Sequence, residues 1–108
     1  MHQNLEITDD HPVTESLSQA KFAPGKILAT PASLAVMEEH GCLPLTLLAR
    51  HLRGDWGSVP TEDAEANNEA LKFGGRLLSS YVIAPNVIIW LISEADRSAS
   101  TFLMPSEY

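Results

Sequence analysis

The sequence predicts an α+β fold in which three helices pack on an antiparallel three-stranded sheet. First, residues 76–105 collect β-branched and aromatic side chains in three short runs separated by turn-forming residues. Second, residues 30–73 carry apolar side chains at helical spacing, with glycines where the repeats stop. Because three strands with one apolar face need a covering layer, we expect the helices to pack on the sheet.

The strands are predicted at residues 76–83, 87–93 and 99–104. Proline cannot donate to a strand ladder and asparagine tolerates turn conformations, so Pro85-Asn86 favours a hairpin loop. The middle run is nearly all apolar, which is typical of a central strand covered on both faces. Residues 25–29 are predicted to add a short N-terminal edge strand.

The helices are predicted from the capping and glycine residues at their ends. Thr30 is a suitable N-cap and Pro31 suits the first helical position, and Gly41 is a suitable left-handed end. The second helix is predicted at residues 44–53 and the third at residues 61–73, each followed by glycine. Together with the strands they predict one domain over residues 25–108, preceded by a flexible acidic arm at residues 1–24.

Asn67 and Asn68 lie in the middle of the third predicted helix, although asparagine favours caps and turns. We expect one of them to bond a buried backbone or side-chain group, or to reach a partner.

The composition is acidic, with 7 Lys and Arg residues against 14 Asp and Glu residues and a formal net charge of −7. Nucleic acids are bound mainly through lysine and arginine, so this balance disfavours direct nucleic-acid binding. It favours a protein partner with a basic surface, or mimicry of a polyanion. The alternative is that the acidity serves only solubility.

The single cysteine, Cys42, allows no intrachain disulfide, which fits a reducing compartment. The N-terminus has neither the basic start nor the apolar core of a signal peptide, and no apolar stretch is long enough to cross a membrane. We therefore expect a cytoplasmic protein that does not bind membranes.

His40, Cys42 and His51 are candidate soft-metal ligands, but their spacing matches no zinc pattern, so neither a metal nor a cofactor is predicted. A nucleophilic pair of Cys42 and His51, oriented by Asp55, is a second interpretation. The simpler interpretation makes Cys42 a small buried side chain and the histidines surface or cap residues.

Glu94, Asp96 and Arg97 form a charged turn after the central strand. Paired carboxylates there could hold the divalent ion of a nuclease. The alternative is structural: Asp96 shapes the turn, and Arg97 pairs with an acid such as Asp55 or Glu94.

Two surfaces are candidates for partner binding. Arginine and tryptophan are over-represented at binding hot spots, and Arg50, Arg53 and Trp56 occur close together. In the alternative interpretation, Trp56 fills a gap between the second helix and the sheet. The second surface is the acidic face of the third helix, which imitates a nucleic-acid backbone or is simply a solvated helix face. Its acidic residues are Glu62, Asp63, Glu65 and Glu69.

Several segments are familiar when taken together. They are ILATP from Ile27, LARHLRGDWG from Leu48, NEAL from Asn68, GRLLSSY from Gly75, IWLISEADRS from Ile89 and LMPSEY from Leu103. Over residues 26–108 the chain resembles a family of small bacterial proteins of plasmids and other mobile elements. Members are often labelled plasmid-related protein or type I restriction-modification subunit. The resemblance implies a mobile-element setting but no particular activity. A methyltransferase domain is excluded by the short length and the lack of a glycine-rich cofactor fingerprint.

The leading hypothesis is therefore a non-enzymatic, acidic interaction protein of a mobile element. It would bind and inhibit a nucleic-acid-processing or host-defence complex, in the manner of an anti-restriction or anti-CRISPR protein. The alternative is a small nuclease-like toxin or enzyme of an element-maintenance system. An exposed edge on the strand at residues 99–104 would also favour a sheet-paired homodimer.

Overall fold

The computed structural model describes residues 5–6 and 19–108, and these residues confirm the α+β class. The first two strands precede three helices, and three further strands and a short 3-10 helix follow. In chain order the elements are β1 (Leu5–Glu6), β2 (Lys26–Ala29), α1 (Pro31–Glu39), α2 (Pro44–Leu52), α3 (Thr61–Phe73), β3 (Leu77–Ala84), β4 (Val87–Ser93), β5 (Ala99–Leu103) and the 3-10 helix Pro105–Glu107.

The sheet is wider than predicted and mixed in direction. Its strand order is β1-β2-β5-β4-β3. The three predicted strands pair antiparallel as β3, β4 and β5, but β2 runs parallel to β5, with Leu28 opposite Thr101. The predicted sheet of three antiparallel strands is therefore confirmed for β3, β4 and β5, but it is only part of a larger mixed sheet. β2 is also not an edge strand, because β1 pairs with its other side.

The predicted dimer edge on β5 is not available. β5 is bonded to β4 on one side and to β2 on the other, so its backbone groups are already used within the chain. The premise of a sheet-paired dimer through this strand, an exposed edge on β5, is therefore wrong, and a homodimer through another surface stays a prediction.

Most of the predicted acidic arm, residues 1–4 and 7–18, lies outside the described residues. The last part of the arm is described and packs on α2. The backbone N–H of Lys21 donates to the Leu52 carbonyl at 2.7 Å, and the Phe22 ring lies 5.3 Å from the His51 ring, edge to face.

The helices begin and end close to the predicted residues. The Thr30 hydroxyl accepts a hydrogen bond from the Ser33 backbone N–H at 3.2 Å, which caps α1 as expected. Proline occupies the first position of both α1 and α2. The third helix spans the predicted residues and ends at Gly74, whose φ is +89°.

The main core lies between one face of the sheet and helices α1 and α2. Side chains alternate along a strand, so every second residue of β3, β4 and β5 faces this core. Its fully or almost fully buried members are Ala29, Met37, Leu47, Leu48, Leu52, Tyr81, Ile89, Leu91 and Phe102. A smaller cluster of Trp56, Ala70 and Leu77 lies beneath α3.

Candidate partner-binding surface

The amide of Asn67 joins α3 to the outer edge of β3. Asn67 is 4% exposed; its side-chain nitrogen donates to the Leu78 carbonyl at 2.8 Å and its side-chain oxygen accepts from the Leu78 N–H at 3.1 Å. The side chain thus bonds the edge strand as a neighbouring peptide group would. This confirms the expectation that an asparagine in this helix binds a buried backbone group.

The segment before α3 covers the next position of the same edge. The Ser80 N–H donates to the Trp56 carbonyl at 3.0 Å, and the Ser58 N–H donates to the Ser80 carbonyl at 2.7 Å. Gly57 makes this approach possible, because a Cβ there would lie 2.0 Å from the Ser80 oxygen and φ is +75°. An exposed strand edge can pair with another chain through its free backbone groups. The backbone N–H and carbonyl of Ser80 are already hydrogen-bonded within this chain and are not available for such pairing.

Trp56 belongs to the core rather than to a contact surface. It is 6% exposed, and its ring lies 5.6 Å from the ring of His51 on α2. Its indole N–H donates to the Asn68 side-chain oxygen on α3 at 3.1 Å. This placement matches the interpretation in which the tryptophan fills a gap, and it leaves little of the side chain for a partner.

Arg97 holds the C-terminal end of α3. Its guanidinium donates to the Ala70 carbonyl at 3.1 Å and to the Gly75 carbonyl at 2.6 Å, and lies 5.5 Å from the centre of the Phe22 ring. A cation at a helix C-terminus is favourable because unpaired carbonyls carry partial negative charge there. The expected partner, an acidic side chain, is thus replaced by carbonyl oxygens, among them that of Glu94 at 2.9 Å.

These contacts orient α3 with its acidic side outward. Glu62, Asp63, Glu65 and Glu69 are all exposed, and within the described ranges none of them forms an ion pair. Phe73, at the end of the same helix, is 80% exposed. Glu62, Glu65, Glu69 and Phe73 follow one another at spacings of three or four residues, which places them along one side of the helix. We call the four acidic residues and Phe73 together the α3 acidic surface.

The predicted arginine patch lies at the end of α2. Arg50 donates to both carboxylate oxygens of Asp55, at 2.7 and 3.3 Å, and lies 4.6 Å from the centre of the Tyr81 ring. The Arg50 hydrogen bond lowers the pKa of the Asp55 carboxyl. Arg53 is exposed at the C-cap of the helix. The two predicted contact sets are therefore separate, since buried Trp56 packs between His51 of α2 and Asn68 of α3.

His51 is a core residue rather than a nucleophile's partner. It is 0% exposed, with Nδ1 2.6 Å from the Ser79 hydroxyl and Nε2 2.9 Å from the Ser93 hydroxyl. Both ring nitrogens are thus occupied by serines. Cys42 lies in the loop before α2, where its thiol is 4.0 Å from the Leu43 carbonyl.

The positions of the protons in this serine–histidine network follow from the hydrogen bond of Ser100. The Ser100 hydroxyl donates to the Pro24 carbonyl at 2.8 Å and so accepts from the Ser93 hydroxyl at 2.6 Å. Ser93, having donated its proton, accepts from His51 Nε2–H, and Nδ1 accepts from Ser79. The acceptor role of Nδ1 requires a neutral ring, and this follows from the pKa: burial, with a smaller contribution from the Arg97 charge, lowers the pKa of His51 to about 3.

The charged side chains of the turn after β4 form hydrogen bonds to backbone groups. The Asp96 carboxylate accepts the Ser98 N–H at 2.9 Å, and Arg97 takes the left-handed conformation with φ of 59°. Among residues 5–6 and 19–108, no group of three His, Cys, Asp or Glu side chains could hold a metal ion.

The buried serine–histidine network is the feature that the sequence interpretation missed. The histidine was assigned to the surface, a cap or a metal site. Ser79, Ser93 and Ser100 occupy core-facing strand positions among apolar neighbours, and each is 0% exposed. Polar residues at such positions need a buried hydrogen-bond partner. The occurrence of serines at core-facing strand positions was therefore the sequence signal that could have predicted this network.

None of the protein-family models, curated proteins or solved structures compared with the chain matches it. In the part of the chain that the structure describes, no helix has the length and apolar character needed to cross a membrane.

Proposed function

We propose that this chain is a non-enzymatic interaction protein that binds a partner with a basic surface through the α3 acidic surface. Following the mobile-element resemblance, the proposed partner is a cytoplasmic nucleic-acid-processing or host-defence complex, which the binding inhibits. The single observation that carries the proposal is the exposure of four carboxylates, none ion-paired within the described part of the chain, on a helix held by partly buried polar contacts.

Three of these carboxylates form a row along one side of the helix. Glu62 and Glu69 are seven residues apart, which at a rise of about 1.5 Å per residue is about 10.5 Å. With Glu65 between them, the row has one carboxylate per about 5 Å of helix axis, and Asp63 lies about 100° around the helix from Glu62. One strand of DNA has one phosphate per about 3.4 Å of axis. A groove that binds phosphates therefore meets a row of negative charges on this helix, at a lower density than along a DNA strand.

Phe73 adds an apolar contact at the end of the acidic row. Exposed aromatic side chains surrounded by polar residues are typical of the buried centre of an interface. An acidic row alone would bind many basic proteins with little discrimination, whereas an apolar contact in a matching pocket selects one of them.

The proposal is tested by capture and by competition. The tagged chain is incubated with host lysate, the retained complex is identified by mass spectrometry, and the purified complex is assayed for nucleic-acid binding and activity. We expect the chain to displace nucleic acid from the complex, with binding that weakens as salt is raised. A retained complex whose nucleic-acid binding and activity are unaffected would contradict the proposal.

A charge-matched pair of variants locates the contact. The double variant E62K/E65K changes the α3 acidic surface, while E38K/E39K makes the same change of net charge at the end of α1. We expect the first to abolish capture and inhibition and the second to retain both. Equal losses would show that net charge, rather than this surface, governs binding.

A further inference from the structure

A cleft lies on the other face of the sheet, between strands β4 and β5 and the C-terminal residues. Ile92 and Leu103 are neighbours in sequence of the core residues Leu91 and Phe102, so they point to the face away from α2. The cleft that they floor has a volume of about 240 Å³. Its walls include Arg76, Glu94, Glu107 and Tyr108. A volume of this size accommodates one side chain rather than a helix or a strand.

The aromatic wall is held in place although it is exposed. Tyr108 is 71% exposed, yet its ring packs edge to face on Trp90 with the ring centres 5.6 Å apart. The Arg76 guanidinium lies 5.5 Å from the centre of the tyrosine ring, and its Nη1 donates to the tyrosine hydroxyl at 2.9 Å. Three contacts therefore fix a large apolar surface at the mouth of the cleft, which lowers the entropy lost when a ligand packs on it.

The carboxylate of Glu94 is the wall group that can accept a hydrogen bond from a cation. The other wall carboxylate, that of Glu107, already accepts hydrogen bonds from the Thr30 hydroxyl and the Met104 backbone N–H, at 2.7 Å each. Arg76 is only loosely paired with Glu94, with Nε and the carboxylate oxygen 3.9 Å apart, and it is already engaged by Tyr108. The Glu94 carboxylate is therefore the group best placed to accept a charged hydrogen bond from a ligand. The net charge of the whole chain, −7, acts in the same direction.

We propose that this cleft binds an arginine side chain of the protein partner. The aliphatic stem lies on Ile92 and Leu103, and the guanidinium stacks on Tyr108 and donates to Glu94. Arginine suits this cleft because its planar cation both stacks on aromatic rings and pairs with carboxylates in two hydrogen bonds. The inference rests on the proposed function in one respect, namely that the partner is a protein with a basic surface.

The test is a titration of the ¹⁵N-labelled chain with N-acetyl-arginine amide, followed by NMR. The control ligand is N-acetyl-citrulline amide, which has nearly the same shape but no charge. We expect saturable shifts of the Thr101, Leu103 and Tyr108 amides, with a dissociation constant on the order of 1 mM. Citrulline should cause none. An equal response to both ligands, or no saturation, would overturn the inference.

Two glutamate variants locate the charge. Glu94→Gln should weaken arginine binding at least fivefold, whereas Glu38→Gln at the exposed end of α1 should leave it unchanged. Among residues 5–6 and 19–108, the Glu94 side chain forms one ion pair, to Arg76 at 3.9 Å, so the fold should survive, and the dispersion of the NMR spectrum verifies this. Unchanged binding by the Glu94→Gln chain would contradict the inference.

Failure of this inference is distinguishable from failure of the proposed function. If E62K/E65K abolishes partner capture but neither ligand binds the cleft, the α3 proposal stands and the cleft inference is wrong. If arginine binds the cleft but no basic partner is captured, the α3 proposal is wrong and the arginine site stands.

Discussion

Helix α2 is held on the sheet by leucine side chains packed around one neutral histidine, whereas α3 is held by amide and guanidinium groups that bond to backbone atoms. Apolar burial has little directional preference, so it stabilises α2 without requiring one hydrogen-bond geometry. Hydrogen bonds to fixed strand and helix carbonyls are directional, so they determine which side of α3 faces outward. The first contact supplies stability, and the second orients the acidic surface.

The largest expected effect lies in the α2 contact. Leu52 is 0% exposed, and Leu52→Ala removes buried methyl groups and leaves a cavity. We expect the free energy of unfolding to fall by about 2 to 5 kcal/mol. Urea denaturation followed by circular dichroism measures this loss, which should be global. Leu43→Ala, at a leucine that is 70% exposed, is the control and should cost little. A similar cost for both would contradict the assignment of the core.

The α3 contact should fail locally. Asn67→Ala leaves the Leu78 N–H and carbonyl without their side-chain partners, which we expect to cost about 2 kcal/mol. Hydrogen exchange should show faster exchange of the α3 amides and of the Leu78 amide, with β4 and β5 still protected. Asn68→Ala removes only the acceptor of the Trp56 indole and should cost about half as much. If Asn67→Ala instead lowered protection uniformly over the sheet, the α3 contact would contribute to global stability as the α2 contact does, and the distinction between them would be wrong.

Acid should weaken the α2 contact through His51. Its pKa is about 3 when folded and about 6.5 when unfolded, so the unfolded chain binds the proton more tightly. Stability is therefore retained above pH 6.5 and lost as the pH falls towards 3. Between pH 7 and pH 5 the loss due to this residue should be about 2 kcal/mol. A His51→Gln chain should lack that slope, and an exposed-site control, His40→Gln, should retain it.

The smallest effects should occur within the α3 acidic surface. Asp63 lies in the first turn of α3, where negative charge is favourable, so Asp63→Asn should lower stability by about 0.5 kcal/mol at low salt. Glu69 lies nearer the C-terminal end, and Glu69→Gln should cost nothing or stabilise slightly. Thermal denaturation at low and high salt measures both variants, and the difference should vanish at high salt. Equal costs would show that the helix dipole does not distinguish the two carboxylates.

The local features were predictable because their causes are local. The Thr30 cap, the proline starts of α1 and α2, the glycine end of α3 and the three C-terminal strands depend on residues within a few positions of each other. The exposed row of Glu62, Glu65 and Glu69 was also predictable, because these residues recur at spacings of three and four within one helix. The role of Trp56 stayed open, since the same residues fit a core plug or a surface contact.

The sequence by itself thus determined the α+β class, the helix ends, the presence of strands β2 to β5 and the acidic character of α3. Only the tertiary structure placed β2 beside β5, because a parallel pair joins segments about seventy residues apart and has no local sequence signal. The tertiary structure also decided that His51 is neutral and buried, and that Arg97 binds carbonyls rather than an acid. The charge state of a side chain and its hydrogen-bond partner depend on its burial and on the groups packed around it. For these residues, those groups belong to other elements of the chain.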